Sequence, residues 1–315
     1  MTEVVAVDPG QKITEPGIYD IPNAWYHDDC CDGPSISSTG LRQIEQRSPA
    51  HYWATSPLNP DAEPMEATKA LDYGAAAHCL LLEPDLFEAQ FAVSPFSDFA
   101  RNEEIEGKLF RKSDKKAWKD AQEEAGKTII TKDDYAAITA AKRALAEHPL
   151  VKDGLFDGLI EKSVIWQDEE TGVWLKARPD CIPAGAILVD YKSAVSAHPR
   201  DIRKALTDHG YHMQLALAVD GIHAVLGDRI EHVALAVQEK KPPYVVNVAP
   251  VEQAALYRGR QQNRRAIRAF AECIEKGDWP GYPELESEIG LLPWAESDLD
   301  QQENYGILPK IEDAA

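Results

Sequence analysis

Apolar and polar positions follow different rules in different thirds of this chain. Over residues 1–64, Pro, Gly, Ser and Asp interrupt every short apolar run, which predicts loops around one short helix. Ser37, Ser38 and Thr39 offer N-cap hydroxyls there, and Leu41 and Ile44 follow at helical spacing until Ser48-Pro49. A second helix is predicted from about Met65 to Leu82. Gly74-Ala75-Ala76-Ala77 at its middle implies close packing on another backbone, and Glu83-Pro84 closes it. The stretch 94–127 is polar and basic without clear periodicity and reads as a mobile insertion. Thr131 followed by Asp134 forms a capping-box pattern that opens an Ala-rich helix to about Glu147.

The middle third changes period. Ser163–Gln167, Val173–Ala177 and Ala186–Tyr191 are short β-prone runs separated by turn signals, Asp168 to Gly172 and Pro183-Ala184-Gly185. A helical segment is predicted from about Pro199 to Val219, strands at 232–238 and 244–248, and a long helix from Val251 to Lys276. Strands bracketed by helices with no break in composition predict one α/β domain carrying a decorated N-terminal region. No internal repeat is visible.

Composition narrows the classes. The chain has 315 residues, enough to bury a sizeable core without staples, and 44% are hydrophobic. Its apolar runs stop far short of the roughly 20 residues a bilayer span needs, and MTEVVAVDPG has no basic start, so no membrane and no secretory role is expected. Five cysteines, an odd number without a CxxC pair, suggest reduced thiols in a cytoplasm.

The net charge of −20 lowers the expectation of a nucleic-acid partner. Its distribution softens that. The segment from Glu284 to Ala315 carries nine carboxylates and one base, Arg101 to Lys119 holds seven basic residues, and Tyr257 to Phe270 holds five arginines and no acid. A groove responds to potential within about 10 Å, so the total does not decide the matter.

One constellation carries chemistry. Arg178-Pro179-Asp180 ends one predicted strand, and Asp190-Tyr191-Lys192 lies near the end of the next. Residues i and i+2 of a strand share a face, so Asp190 and Lys192 project together. Pairing of the two strands as a hairpin would bring Asp180 beside Asp190. Two hard carboxylates at one spot suit Mg²⁺, and an adjacent ammonium can hold or activate a water. A solvated hairpin with surface charges fits the same spacing.

The residues Pro179-Asp180 and Asp190-Tyr191-Lys192 resemble the PD-(D/E)xK nuclease signature, with Asp in place of the more frequent Glu. More widely, the chain resembles the nuclease domain of RecE-type exonuclease VIII proteins of phages and prophages. The resemblance runs in order through Gly17-Ile18-Tyr19, Tyr26-His27, Ser35 to Leu41, Ser48 to Trp53, Leu71 to His78, Leu82-Glu83-Pro84, Glu161 to Trp166, Lys176 to Asp180, Gly210 to Gln214 and Trp279-Pro280. It implies a restriction-endonuclease-like α/β core, a central mixed sheet flanked by helices. The implied organisation is a loop-rich region over 1–64, the exonuclease domain over 65–283 and an acidic tail over 284–315.

The resemblance also implies roles. His78, Asp180 and Asp190 would ligate metal, Lys192 would activate the attacking water, and Glu161 would assist a second metal or orient its water. Gln214, Tyr211 and Arg178 would contact DNA. The cofactor would be Mg²⁺, two ions per site with Mn²⁺ as a substitute. The implied reaction is degradation of linear double-stranded DNA from its ends, 5′ to 3′, leaving 3′ tails for recombination. The implied partners are a homo-oligomeric ring, trimer or tetramer, and a RecT-like single-strand annealing protein, in the cytoplasm of a bacterial host or phage-infected cell. Without the resemblance, His78 reads more readily as a satisfied core or surface histidine, Glu161 beside Lys162 as an exposed ion pair, and Gln214 as a solvent-facing helix residue.

Two departures stand out: Ala218 sits where the glutamine motif often has an aromatic, and Ser193-Ala194 follow the lysine in place of a threonine pair. Cys30, Cys31, Cys79, Cys181 and Cys273 lack the spacing of an iron–sulfur cluster, so none is expected. His209 and His212 could form half a zinc site, but no second pair stands at finger spacing. Arg260, Arg264 and Arg268 form a helical stripe, either a phosphate-tracking face or a solvated face paired with the acidic tail. Competing functions are a non-catalytic DNA-binding or recombination-mediator protein on the same fold, and a Cas4-like or restriction-type nuclease.

Overall fold

The computed structural model describes residues 4–8, 10–62, 69–97, 102–105, 107–227, 230–284 and 289–309. Two compact units are present, Met1–Gly281 and Tyr282–Ala315. The first begins with β1 (Val4–Ala6), β2 (Gly17–Asp20), α1 (Asn23–His27), β3 (Ser35–Ser37), α2 (Ser38–Gln46), α3 (Pro49–Trp53) and α4 (Lys69–Leu82). Then come α5 (Phe87–Gln90), β4 (Phe91–Val93), β5 (Glu103–Ile105), β6 (Lys108–Phe110), α6 (Lys112–Glu124), β7 (Thr128–Ile130), α7 (Lys132–Ala146) and α8 (Pro149–Lys152). The strands β8 (Gly158–Ile160), β9 (Ser163–Gln167), β10 (Trp174–Ala177), β11 (Cys181–Pro183) and β12 (Ile187–Ala194) follow. The helices α9 (Pro199–Asp208) and α10 (Tyr211–Leu226), strands β13 (His232–Glu239) and β14 (Val246–Pro250), and α11 (Gln253–Lys276) complete it. The second unit holds α12 (Pro293–Asn304).

The expected α/β class holds: mixed sheets carry helices on their faces. One sheet has the order β1-β2-β9-β10-β3, another β12-β13-β14, and β8 pairs with β11. β12 and β13 run parallel in register from Ile187 opposite His232 to Ala194 opposite Glu239. Both faces of β12 are buried, as parallel strands require. Leu188 packs with Leu235, Val237 and the helix α10, while Val189 and Tyr191 pack with Ala236 and Leu145 of α7. The helix α10 is apolar nearly all round, with eight buried residues between Met213 and Ile222, and forms the centre of the main core.

Several local expectations meet a different outcome. The strands carrying Asp180 and Asp190 do not form a hairpin ladder, since β11 pairs with β8 and β12 with β13. Pro179 has no N–H to give a ladder, and the Asp180 carboxylate takes the N–H of Tyr191 instead, at 2.5 Å. The helix-rich segment expected over 199–219 does form, as the two helices α9 and α10, which meet at Gly210, whose φ of +63° is a left-handed conformation that glycine tolerates. The 94–127 stretch is not a structureless insertion: β5, β6 and α6 form there, and α6 is capped by Asp114 accepting from the Arg111 N–H. In α4 the close packing comes from Ala76 and Ala77, both buried, while Gly74 has open space beside it. The acidic segment contains a helix, α12, that its polarity did not signal.

Four of the five arginines of α11 form an ion-paired face. Arg260 pairs with Asp220, Arg264 with Asp168, Arg265 with Glu45 and Arg268 with Glu170. These contacts sit above a tight crossing of α11 on α10, where a Cβ on Gly259 would lie 2.4 Å from the His212 carbonyl oxygen. The obstacle is backbone, so the helices must move to accommodate it. Gly259→Ala is therefore expected to destabilise the fold by about 1–3 kcal/mol despite alanine's better helix propensity. Urea unfolding measures this, and an unchanged or higher midpoint would show that the two helices separate freely.

Candidate active site

The centre of the site is a single peptide unit in β12. Tyr191 donates its N–H to Asp180 Oδ2 and accepts at its carbonyl from His78 Nε2 at 3.0 Å. A carbonyl can only accept, so Nε2 carries the proton, and in neutral His78 the lone pair sits on Nδ1. That nitrogen lies 3.7 Å from Glu161 Oε1 and 3.7 Å from Asp180 Oδ1. Potential ligand atoms of His78, Glu161 and Asp180 all fall within 4.8 Å of one another.

Each of these side chains is placed by a different element. His78 comes from α4, which packs on β12, and its ring meets the Tyr191 ring edge-on at 5.2 Å. Asp180 sits at the break between β10 and β11. Glu161 occupies the two-residue joint between β8 and β9 at φ +50°, and its N–H donates to the Asp180 carbonyl. A non-glycine residue in that region costs on the order of 1–3 kcal/mol and persists where the surroundings impose it.

Asp190 and Lys192 flank Tyr191 and point to the opposite face, toward α10, as strand alternation requires. Gln214 of α10 donates to Asp190 Oδ1 at 3.0 Å. Lys192 Nζ lies 2.5 Å from Asp190 Oδ2, an oxygen that is buried and has, among the described residues, no hydrogen-bond partner beyond that ammonium. The same ammonium stands 5.0 Å from the Tyr211 ring centroid.

Proton affinities follow from this crowding. Burial, then the neighbouring Asp190 charge, pushes the Asp180 carboxyl up to about 7. Burial disfavours charge on His78, but Asp180 and Glu161 outweigh it and raise the imidazole to about 9. Burial likewise opposes charge on Lys192, and Asp190 and Asp180 overcome it, so the ammonium is held above its ordinary value.

The donor set fits a hard divalent cation. Two carboxylates, Glu161 and Asp180, converge on one imidazole, whose Nδ1 faces both while a carbonyl fixes its other nitrogen, the arrangement by which metal-bound histidines are oriented. One nitrogen among oxygens suits Mn²⁺ as well as Mg²⁺.

The other candidates are placed as follows. Gln214 is spent on Asp190, and Tyr211 opens α10 beside Lys192. Arg178 turns inward: it donates to Ser163 Oγ, Asn23 Oδ1 and the Ile21 carbonyl, with its guanidinium carbon 4.5 Å from the Tyr26 ring centroid. His212 has both ring nitrogens engaged, with the Leu206 carbonyl and Gln262, and so offers no zinc ligand. In the basic cluster Lys115, Lys116 and Lys119 pair with Glu103, Asp120 and Glu123, and Arg101 lies outside the described residues. The residue that pattern reasoning missed is Tyr191. It acts through its backbone, and the only sequence signal is its position between Asp190 and Lys192.

Residues 37–288 match the family described as PDDEXK-like domain of unknown function (DUF3799). No curated protein sequence matches the chain. Among solved structures, a provisionally named exonuclease from Eubacterium rectale superposes with a TM-score of 0.54 at 13% identity, covering 88% of this chain and 94% of that one. At that identity the likeness speaks for the fold. The structure of SSO0001 covers 42% of this chain and 62% of its own at 18% identity, with a TM-score of 0.24, too low to carry an argument. The family match spans the greater part of the chain and takes in Asp180, Asp190 and Lys192 with His78 and Glu161, and the chain belongs to this PDDEXK-like family.

Proposed function

We propose that this protein is a divalent-metal-dependent nuclease of RecE type that degrades linear duplex DNA from its ends, 5′ to 3′, leaving 3′ single strands for recombination by annealing. The observation that supports it most is the geometry of His78: its Nε2–H is held by the Tyr191 carbonyl, and Nδ1 is aimed at Glu161 and Asp180, beside the Asp190–Lys192 pair. His78, Glu161, Asp180 and Asp190 would hold the metal. Mg²⁺ or Mn²⁺, when bound there, supplies charge that lowers the pKa of water and offsets charge on phosphate.

The chain's own residues do the rest. Lys192 keeps its proton and sets a point charge at the mouth of the centre, where it orients a water and opposes charge growing on a phosphate oxygen. Gln214 holds Asp190 in one rotamer. The ring-shaped homo-oligomer and the RecT-like annealing partner belong to the same proposal: a closed ring keeps an acidic chain on DNA, and light scattering reads its size.

Asp190→Ala is expected to abolish cleavage of linear duplex in Mg²⁺, read from 5′-labelled and 3′-labelled substrates. Near-normal cutting by that variant would remove Asp190 from the site, and loss of the 3′ label before the 5′ label would reverse the polarity. Lys192→Ala should keep metal affinity while its rate falls at least about a hundredfold, with Lys192→Arg a partial rescue at best. A fall in metal affinity as large as that of Asp190→Ala would make Lys192 an organiser of carboxylates.

Metal binding should also depend on pH in a defined direction. Ligation needs Asp180 ionised and His78 free of a proton on Nδ1. With the carboxyl at about 7 and the imidazole at about 9, protons must leave as metal enters. Mn²⁺ affinity is thus expected to climb between about pH 6 and about pH 9, with proton release visible as a buffer-dependent heat in calorimetry. A flat profile would contradict the ligand set.

A further inference from the structure

All five cysteines are buried, and two of them differ from the rest. Cys79 directs its Sγ at the Glu83 carbonyl at 3.6 Å and Cys181 at the Phe156 carbonyl at 3.4 Å, so each is a thiol with an acceptor in front of it. Cys30 and Cys31 face one another instead, with sulfurs 3.8 Å apart. They lie in the turn between α1 and β3, in a small cluster with Ile13, Tyr19, Tyr26 and Trp174. Lys176 of β10, 3% exposed, lies within their electrostatic reach. Its ammonium donates to the Tyr26 and Asp28 carbonyls at 2.8 and 2.9 Å and stands 5.6 Å from the Tyr26 ring centroid. Among the described residues it pairs with no carboxylate. A buried ammonium without a counter-charge is costly, and the Cys30 sulfur can supply one. The other charges near the pair are Asp28 and Asp29, the latter taken up by Lys12 at 2.8 Å, while burial keeps the phenols of Tyr19 and Tyr26 neutral.

We propose that Cys30 and Cys31 form a reversible oxidation site for hydroperoxides, with Cys30 as the attacking thiolate, Cys31 as the resolving thiol and Lys176 as the fixed cation beside them. The arrangement gives the two sulfurs different roles. The hydrogen bond from Cys31 outweighs burial and, with the Lys176 ammonium, lowers the Cys30 thiol to about 7, while the same bond and burial raise Cys31. Burial pushes Cys79 and Cys181 up to about 11 and raises Cys273, so thiolate gathers on Cys30 at neutral pH. That thiolate attacks one peroxide oxygen: an S–O bond forms, the O–O bond breaks, and the departing hydroxide takes a proton from solvent, leaving a sulfenic acid. Cys31 then attacks the same sulfur. The S–S bond forms, the S–O bond breaks, and the hydroxyl leaves with the Cys31 proton as water. Two electrons have passed from the sulfurs to the peroxide. Adjacent residues hold their Cα atoms about 3.8 Å apart, below the roughly 4.4 Å at which disulfides usually begin, so thiols reduce the product readily. Access selects the oxidant. Neither sulfur is more than 1% exposed, but Asp28, Asp32, Gly33 and Pro34 around them are exposed. A local opening of this turn admits a molecule as small as hydrogen peroxide and excludes one as large as glutathione disulfide.

The test treats the reduced full-length protein with hydrogen peroxide, alkylates the remaining thiols in denaturant and reads each cysteine by peptide mass spectrometry. The peptide holding Cys30 and Cys31 should lose its two thiol hydrogens and escape alkylation, while Cys79, Cys181 and Cys273 are alkylated. Dithiothreitol should return the pair to dithiol, and glutathione disulfide should leave it unreacted. Cys31→Ser keeps a hydrogen-bonding group and should halt the reaction at the sulfenic acid, trapped on Cys30 by dimedone. Lys176→Met should oxidise about tenfold more slowly, since it removes the charge that favours thiolate. A pair oxidised no faster than the other three cysteines would overturn the site, as would a Cys31→Ser protein that takes up no dimedone at Cys30. A mixed disulfide with glutathione formed as fast as the peroxide product would overturn the hydroperoxide as its oxidant. A folded Lys176→Met protein that oxidises at the original rate would overturn the part given to the lysine. None of these readouts involves metal or DNA, so they leave the nuclease reading to its own tests.

Discussion

The candidate site depends on the placement of one peptide unit. The amide of Tyr191 holds Asp180, its carbonyl holds His78, and its two neighbours supply Asp190 and Lys192 on the other face. Among the described residues, nothing else ties both side chains to the same strand. The peptide is fixed in turn by its side chain: the Tyr191 hydroxyl donates to Gln238 Oε1 at 2.9 Å, and Gln238 Nε2 donates to the Ala141 carbonyl of α7 at 2.8 Å. Gln238 is 1% exposed, so this chain of bonds runs through a dry interior, where a satisfied bond is strong and a broken one costs about 1–3 kcal/mol. The strand is therefore pinned from α7 below and α4 above. Its register against β13 over eight residue pairs resists any slip that would turn Asp190 away from α10.

The same requirement explains the irregularities around it. A regular ladder between β11 and β12 would use the Tyr191 N–H for a backbone carbonyl, and Asp180 would have no fixed position. Pro179 interrupts the strand, and the carboxylate substitutes for the missing ladder acceptor. Glu161 adopts its left-handed conformation for a related reason: its N–H binds the Asp180 carbonyl while its carboxylate turns toward His78. Two local departures from β geometry thus place two acidic groups. The regular frame of β12, β13, α10 and α11 supplies the stability that tolerates them.

This division accounts for what could be read from the sequence. The helices over 38–46 and 132–146, the strands around 163–167 and 187–194 and the long last helix announce themselves by period and caps, because local physics sets them. Thr131 accepting from the Asp134 N–H is the cap its pattern predicts. The grouping of Asp190 with Lys192 was legible because strand alternation alone puts them on one face. The approach of Asp180 was legible too, but its cause was not: a side chain bridging two sheets leaves no periodic trace. Gln214 and Arg178 look alike in sequence, polar residues near a motif. Only tertiary contacts show that one holds Asp190 and the other is turned inward over Tyr26. The 94–127 segment and α12 misled for the reverse reason, since both form helices on polar sequence without an apolar stripe.

Charge gives the last constraint. The chain carries −20, and the arginine-rich α11 spends four of its five guanidinium groups on Asp220, Asp168, Glu45 and Glu170. Lys115, Lys116 and Lys119 of α6 are matched in the same way by nearby acids. Intramolecular pairing of this kind reduces the positive charge these two helices offer a polyanion, and exposed pairs are screened further by salt. The centre itself gathers three carboxylates against one imidazole and one ammonium. On the proposed nuclease reading, attraction for a phosphodiester would be supplied locally, by a divalent cation among those carboxylates and by Lys192. Such a protein gains little affinity from long-range steering and depends on short-range fit. On that reading the fit would fall to a few side chains around β12, which would put recognition and chemistry on the same strand.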